Sequence, residues 1–443
     1  MANDKESKKI SVPVAAAVGL GAIIGAGIFV LSGTAIALAG YDALIAFVLV
    51  GIVAIIIALE LGELGSLMPN LKGASYSYTY KAFGSELGFI TGMLRYIALA
   101  TSISAISLGF GSYLASTFGL PINTYGIPFA IALIGVLSAV NMFGVKKAAE
   151  ADFWLVIVKL GVLFVFIAFA MAMALTGANR SAGAFTFSTS GGAISGIFAA
   201  SIVVFFAYSG FQTISSITDR IRGGSMGYVK AIMAAVLISM IVYVLVVYAL
   251  LLLLPAAAYK ISADPLAFAL KSSNAPGWLT LLTDIGALVA TASATIAMIL
   301  SSSRALYQMS LDHLLPKSLR KYDKRRDTAG NGILVSAVIG VIMLFAGNIY
   351  VIASIANFGM IFNYLMIGFA LVHFRRGRSN PGFSMPLYPY LTIVGEVMLF
   401  AFLIGMPKEA LVFGTIAIMS LLIVYYALRE LQGKKVIRIR LFR

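Results

Sequence analysis

The sequence predicts an all-α membrane protein of about twelve transmembrane helices, arranged as two halves of inverted repeat with a break in the first helix of each. Three observations carry this. The chain is 60% hydrophobic and only 11% charged, with a mean hydropathy of +0.99, well beyond what a water-soluble domain of 443 residues uses. Apolar stretches of about 20 residues, the length needed to cross roughly 30 Å of hydrocarbon, recur from Ser11 to Leu428. The cationic residues fall on alternate sides of these stretches.

In order, the spans are expected near 12–34, 43–66, 87–118, 123–144, 151–176, 194–217, 231–254, 279–307, 332–347, 350–373, 387–406 and 409–429. The first follows a charged segment ending at Lys9. It is too long for a signal peptide and lacks a small-residue cleavage pattern, so it reads as a retained span. With the N-terminus inside, 26 of the 32 Lys and Arg residues lie on the inner side, including the cluster from Arg304 to Arg326 and the tail from Arg429 onward. Only Arg180, Lys260, Lys271 and Lys408 fall outside, and Arg95 and Lys159 lie within spans. This alternation places both termini in the cytoplasm. It also explains the net charge of +15 as topology, with anionic lipid on the cytoplasmic side as a partner and no nucleic acid.

The chain has no cysteine and two histidines, His313 and His373, too few for a histidine metal site. It has no HExxH, no phosphate loop and no clustered carboxylates, so an enzyme is not expected, nor is any metal or cofactor. Glu60, Asp284 and Glu396 are isolated acids to which no chemistry is assigned. Arg95 reads as a structural cation paired with Glu86 or Glu63, the other reading being an anion clamp.

Two spans carry helix breakers. Gly21, Gly25, Gly27 and Gly33 interrupt span 1, and Ser209 and Gly210 interrupt span 6, five spans later. Matching breaks in two halves indicate an inverted repeat with a binding site between them, although small residues also serve close helix packing.

The run Gly21-Ala-Ile-Ile-Gly25-Ala-Gly27-Ile-Phe29 resembles the span 1 signature of the amino acid-polyamine-organocation (APC) transporter superfamily. The resemblance continues through Gly73-Ala-Ser-Tyr-Ser-Tyr78, Asn141-Met-Phe-Gly-Val-Lys146, Phe206-Ala-Tyr-Ser-Gly-Phe211, Ser303-Arg-Ala-Leu-Tyr307 and Pro386-Leu-Tyr-Pro389. One departure is the segment after span 6, where Asp219, Arg220, Gly223 and Gly224 replace the family's glutamate pair and Asn-Pro.

The resemblance implies a LeuT-like 5+5 fold with discontinuous helices 1 and 6. Residues 1–11 would be a cytoplasmic N-terminus, 12–176 the first repeat, 194–373 the second, 387–429 two peripheral spans and 430–443 a basic tail. It implies secondary active transport of an amino acid across the cell membrane. Free N–H groups at Gly25, Ala26 and Gly27 would hold the substrate carboxylate, because a broken helix offers unpaired donors and the positive end of its dipole. The carbonyls of Ile23, Phe206 and Ser209, beside Ala207 and Gly210, would take the ammonium. Phe206 is either an aromatic gate over the substrate or ordinary packing.

Lys159 lies about eight residues into span 5, where an uncompensated charge costs about 2.5–3.5 kcal/mol. Either it pairs with span-end carbonyls or an acid such as Glu63, or, as the resemblance implies, its ammonium replaces the sodium ion of related carriers between spans 1 and 8. Taking lysine out of water favours its neutral form, so Lys159 could pass a proton as the carrier changes face. Thr291 and Ser293 of span 8 are its candidate partners. The expectation is sodium-independent, proton-coupled symport, with obligatory exchange or a non-transporting sensor as alternatives. The substrate and the oligomeric state stay open.

Overall fold

The computed structural model describes residues 10–68, 75–144, 148–176, 191–211, 221–323, 326, 328–376 and 382–431. These residues are helical almost throughout, and among them β pairing is limited to two isolated bridges. The hydrocarbon core supplies no water to satisfy N–H and C=O groups, so each apolar stretch must bond within itself, as a helix does.

Span 1 is two helices, α1 (Val12–Ile23) and α2 (Ala26–Ala39), meeting at Ile24 and Gly25. Pro13 starts α1, at a position where its missing N–H costs nothing. A single-turn link over Gly40–Asp42 then leads to α3 (Ala43–Leu67). Gly40 has φ of 60°, in the region that favours glycine, and it turns a 42-residue apolar stretch back on itself. After it come α4 (Ser75–Phe83), α5 (Ser85–Thr117), α6 (Ile122–Phe143), α7 (Ala148–Leu175) and α8 (Gly191–Tyr208). The second half holds α9 (Gly224–Leu253), α10 (Pro265–Ser272), α11 (Gly277–Leu311), α12 (Gly330–Met343), α13 (Ile349–Arg375), α14 (Tyr390–Ile404) and α15 (Lys408–Leu431).

Leaving out the short helices α4 and α10, these helices supply twelve crossings among the described residues, as the spans read from the sequence require. Two crossings, α12 and α14, have 14 and 15 residues and are shorter than the membrane is thick. The boundaries agree within about five residues except at α9, which begins seven residues earlier than hydropathy indicates, and at span 6, whose helix α8 ends at Tyr208 while the expected residues 212–217 lie outside the described residues. The first turns of α9 hold Gly224, Ser225 and Gly227, polar or small residues that dilute the apolar signal. The helices α4 and α10 were not anticipated: α4 has nine residues and is rich in Ser and Tyr, and α10 has eight residues.

The long helix α5 occupies the centre, packed on α6, α11 and α13. Its hydroxyl-rich face, Thr101, Ser102, Ser104 and Ser107, is wholly enclosed. Some of these groups bond across helices: Ser104 donates to the Gly340 carbonyl at 2.6 Å, and Ser107 lies 3.4 Å from Thr295. Around this centre α1 packs on α9, and α2 on α8. Of the long apolar helices, α15 has the least enclosed surface, in keeping with a peripheral span.

The paired helix breaks and the lysine beside them

At the first break the Ile24 N–H closes the last turn of α1 on Leu20 at 2.7 Å, and the Gly25 N–H folds back to the Ile23 carbonyl at 2.7 Å. Gly25, extended with φ −99° and ψ −139°, then starts α2, and no side chain caps that helix. The first N–H groups of α2, at Ala26 and Gly27, thus emerge inside the protein at a helix start. The macrodipole adds about half a positive charge there.

At the second break α8 ends at Tyr208 and Ser209–Phe211 tighten into a 3₁₀ turn. The Ser209 hydroxyl donates to the Phe206 carbonyl at 2.8 Å. The breaks lie back to back: a Cβ added to Gly210 would run into the Ala22–Ile23 peptide, and one added to Gly27 would run into the Ala207 backbone. These two glycines allow backbones to meet. Gly25 differs, since a Cβ there would make an ordinary 3.5 Å contact with Ala294 of α11.

A residue not singled out from the sequence ties the breaks together. The Tyr243 hydroxyl on α9 lies 2.6 Å from the Ile23 carbonyl and 3.0 Å from the Ala207 carbonyl. Phe47 and Tyr208 hold its ring edge-on at centroid distances of 5.9 and 5.1 Å. In α2 the Tyr113 hydroxyl of α5 donates to the Phe29 carbonyl at 2.6 Å, and Tyr208 donates to Phe47 of α3 at 3.0 Å. Three enclosed tyrosines therefore bond backbone carbonyls around the two breaks. No sequence signal marks them beyond a Tyr within an apolar run, which must find a partner when enclosed.

Of the candidate binding residues, Ile23, Gly25, Ala26, Gly27, Phe206, Ala207 and Gly210 are enclosed and Ser209 half-buried. All eight belong to the two breaks. The Ile23 carbonyl receives Tyr243 and Gly25, and the Phe206 carbonyl receives Ser209, so in this state the protein's own donors engage both. Phe205 packs into an aromatic group with Tyr364 and Phe402, at centroid distances of 5.6 and 6.2 Å. Phe206, about 100° further round the helix, is turned away from that group and is 6% exposed.

Lys159 is 1% exposed. One turn before it Val156 packs on Gly21 of α1, and one turn after it Val162 packs on Gly286 of α11. Its face of α7 therefore lies along the seam between spans 1 and 8. Thr291 donates to the Ala287 carbonyl at 2.7 Å and Ser293 to the Ala290 carbonyl at 3.1 Å, so both hydroxyl protons are used within α11 and their oxygens keep acceptor capacity. Glu63 bonds elsewhere. Its carboxylate lies 3.2 Å from the Arg375 guanidinium and accepts from the Met385 N–H at 2.7 Å. Of the altered segment after span 6, Asp219 and Arg220 lie outside the described residues, while Gly223, with φ of 82°, caps α9.

A family model described as amino acid permease matches residues 15–428. The chain belongs to the amino acid permease family. It is 27% identical over 403 residues to the branched-chain amino acid permease BcaP of Bacillus subtilis (strain 168), covering 85% of this chain and 84% of that one. It is 26% identical over 412 residues to the methylthioribose transporter of the same organism, covering 88% and 86%. Among solved structures, a manganese transporter mutant of Eremococcus coleocola superposes with a TM-score of 0.56 over 95% of this chain and 94% of the other, at 16% identity, a likeness of fold alone. This permease is accordingly a multi-pass membrane transporter of amino acids and not an enzyme.

Proposed function

We propose that this permease is a sodium-independent symporter that couples amino acid uptake across the cell membrane to a proton carried by Lys159, with both termini in the cytoplasm. The observation that supports this reading is an enclosed lysine on α7, a helix that packs on span 1 through Val156 against Gly21 and on span 8 through Val162 against Gly286. A fixed ammonium there does the electrostatic work of a bound cation and can be discharged by losing a proton, which a sodium ion cannot do. The substrate's carboxylate is met by the N–H groups of Gly25, Ala26 and Gly27. Its ammonium is met by carbonyls of the breaks at Ile23, Phe206 and Ser209, with Ala207 and Gly210 forming the opposite wall and Phe206 covering it. Thr291 and Ser293 are the candidate lysine partners on span 8, and of the two Ser293 shares the Gly286 face that meets span 5. Anionic lipid on the cytoplasmic face completes the setting.

Branched-chain amino acids are the first substrates to test, since a relative is a branched-chain permease. The methylthioribose transporter among the relatives shows that similar sequences serve more than one ligand. The test is uptake of radiolabelled amino acids into proteoliposomes with the proton gradient imposed or collapsed and sodium present or absent. Gradient-driven accumulation that ignores sodium and loses its pH dependence in Lys159→Ala is expected. Uptake only into preloaded vesicles would replace symport by exchange, and pH dependence surviving in Lys159→Ala would remove the proton role.

A further inference from the structure

Among the described residues no carboxylate pairs with Arg95. It sits on α5 about 15 Å from that helix's start, at roughly 1.5 Å per residue, too deep for a surface cation. Glu86, in the first turn, precedes it by nine residues, which at 3.6 residues per turn puts it on the opposite face. Glu63 is engaged by Arg375. Asp312, at the inner end of α11, accepts from the Tyr76 hydroxyl and lies 3.4 Å from Gln308. Among the described residues no ion pair reaches Arg95, and its Nε is enclosed without a hydrogen-bond partner.

Arg95 is half-buried, with its Nε fully enclosed. Its face of α5 also carries Thr91, whose enclosed hydroxyl is likewise without a partner. Heptad steps of about 20° drift then lead to Ser102 and to Gly109, which touches Val30 of α2. On the other side, Gly359 of α13 is packed against the Leu94 carbonyl, and Tyr364 one turn further is the ionisable neighbour of Arg95. Tyr364 in turn stacks on Phe211, at the end of the second break, at 5.5 Å. Arg95 thus faces the same interior as the two breaks, on the side from which α5 starts.

We propose that Arg95 is a second station for the substrate carboxylate, on the cytoplasmic side of the paired breaks. A guanidinium presents a planar fork of donors that fits a carboxylate in two parallel bonds, and a half-buried cation without a fixed counter-ion, linked to the breaks through Tyr364 and Phe211, can have its partner supplied by the substrate. The station takes over the carboxylate as it leaves the N–H groups of α2. It rests on the transport reading above and adds sidedness to it.

The test uses full-length protein in oriented proteoliposomes. Its probes are the proteinogenic L-amino acid that the wild type carries best, and the amide of that amino acid, which has lost the carboxylate. Half-saturation is measured separately from the inner and outer faces for the wild type, Arg95→Gln and Arg95→Lys. Arg95→Gln is expected to raise inner half-saturation for the acid at least tenfold, leave the outer value within twofold, and leave inhibition by internal amide unchanged. Arg95→Lys, which keeps the charge and loses the fork, is expected to shift the inner value three- to tenfold, and it carries the test if the Gln variant does not fold. Equal shifts on both faces, or an unshifted inner value, overturn the assignment. Absence of transport in the wild type would instead overturn the carrier reading on which it rests.

Discussion

Replacing Tyr243 by Phe removes one oxygen and nothing else, at the point where both helix breaks meet. The hydroxyl lies 2.6 Å from the Ile23 carbonyl and 3.0 Å from the Ala207 carbonyl, in an enclosed setting where water does not substitute. The Ile23 carbonyl keeps the Gly25 N–H at 2.7 Å, so its loss is partial. The Ala207 carbonyl, at the end of α8, loses the partner it shares with Ile23. An enclosed polar group left without its hydrogen bond costs about 1–3 kcal/mol, and a bond to an acceptor that retains another donor about 0.5–1.5 kcal/mol. The ring stays between Phe47 and Tyr208, so packing is kept and about 1.5–4.5 kcal/mol is the total expected. That energy is lost by the state in which the breaks are tied together. At roughly 1.4 kcal/mol per factor of ten, the balance between tied and untied breaks shifts by at least tenfold. Transport kinetics in proteoliposomes and thermal unfolding in detergent read this out. Half-saturation or maximal rate is expected to change by tenfold or more, with a lower unfolding temperature. Kinetics within twofold of the wild type and an unchanged melt would refute the claim that this hydroxyl holds the breaks together.

Further consequences follow from single contacts. Gly27→Ala places a Cβ in the Ala207 backbone and is expected to abolish transport, whereas Gly25→Ala meets only Ala294 at 3.5 Å and should leave the protein folded; equal damage from both would contradict the packing of the breaks. Arg375→Ala strands the enclosed Glu63 carboxylate and is expected to cost about 3–5 kcal/mol in stability, with Glu63→Gln in the same chain restoring much of it, as a double-mutant cycle in denaturant would show. Asp264 lies immediately before α10. Burial pushes its pKa above the ordinary 3.8, against the opposing pull of Ser116 and Lys271. The folded state therefore holds this proton more tightly than the unfolded one, and the Asp264 contribution to stability declines as pH rises from about 4. Asp264→Asn should flatten that part of the unfolding-temperature profile, and an unaltered profile would show that the group does not titrate on folding.

Much of the architecture was legible because membrane insertion imposes simple rules on sequence. Twelve crossings follow from apolar length, and the expected orientation from the 26 inner cations. The breaks in spans 1 and 6 were visible because glycine and serine interrupt runs that are otherwise Val, Ile, Leu and Ala, a chemical difference that survives without coordinates. Hydropathy failed at α4 and α10, where short helices are amphipathic or too brief for a 20-residue window.

The site divides along the same line. Gly25, Gly27, Ser209 and Gly210 could be singled out from the chain, since a broken helix needs residues that tolerate it; Lys159 could be singled out because a charge inside an apolar span must be compensated, structurally or functionally. What they touch could not be read. That Gly210 meets the Ala22–Ile23 peptide, that Tyr243 bridges residues 23 and 207, and that Glu63 belongs to Arg375 and not to Arg95 or Lys159, are facts of helix rotation and crossing. Tyrosine in an apolar run has the same signature whether it caps a broken helix or faces lipid. A carboxylate near a span end can serve any cation within a side chain's reach. The sequence by itself therefore determined the class of protein, the number of crossings and where its helices must break, because water and hydrocarbon act on each segment separately. Only the tertiary structure decided which groups are partners and which, like Arg95 among the described residues, are left without one, because that depends on which faces of separate helices are brought together.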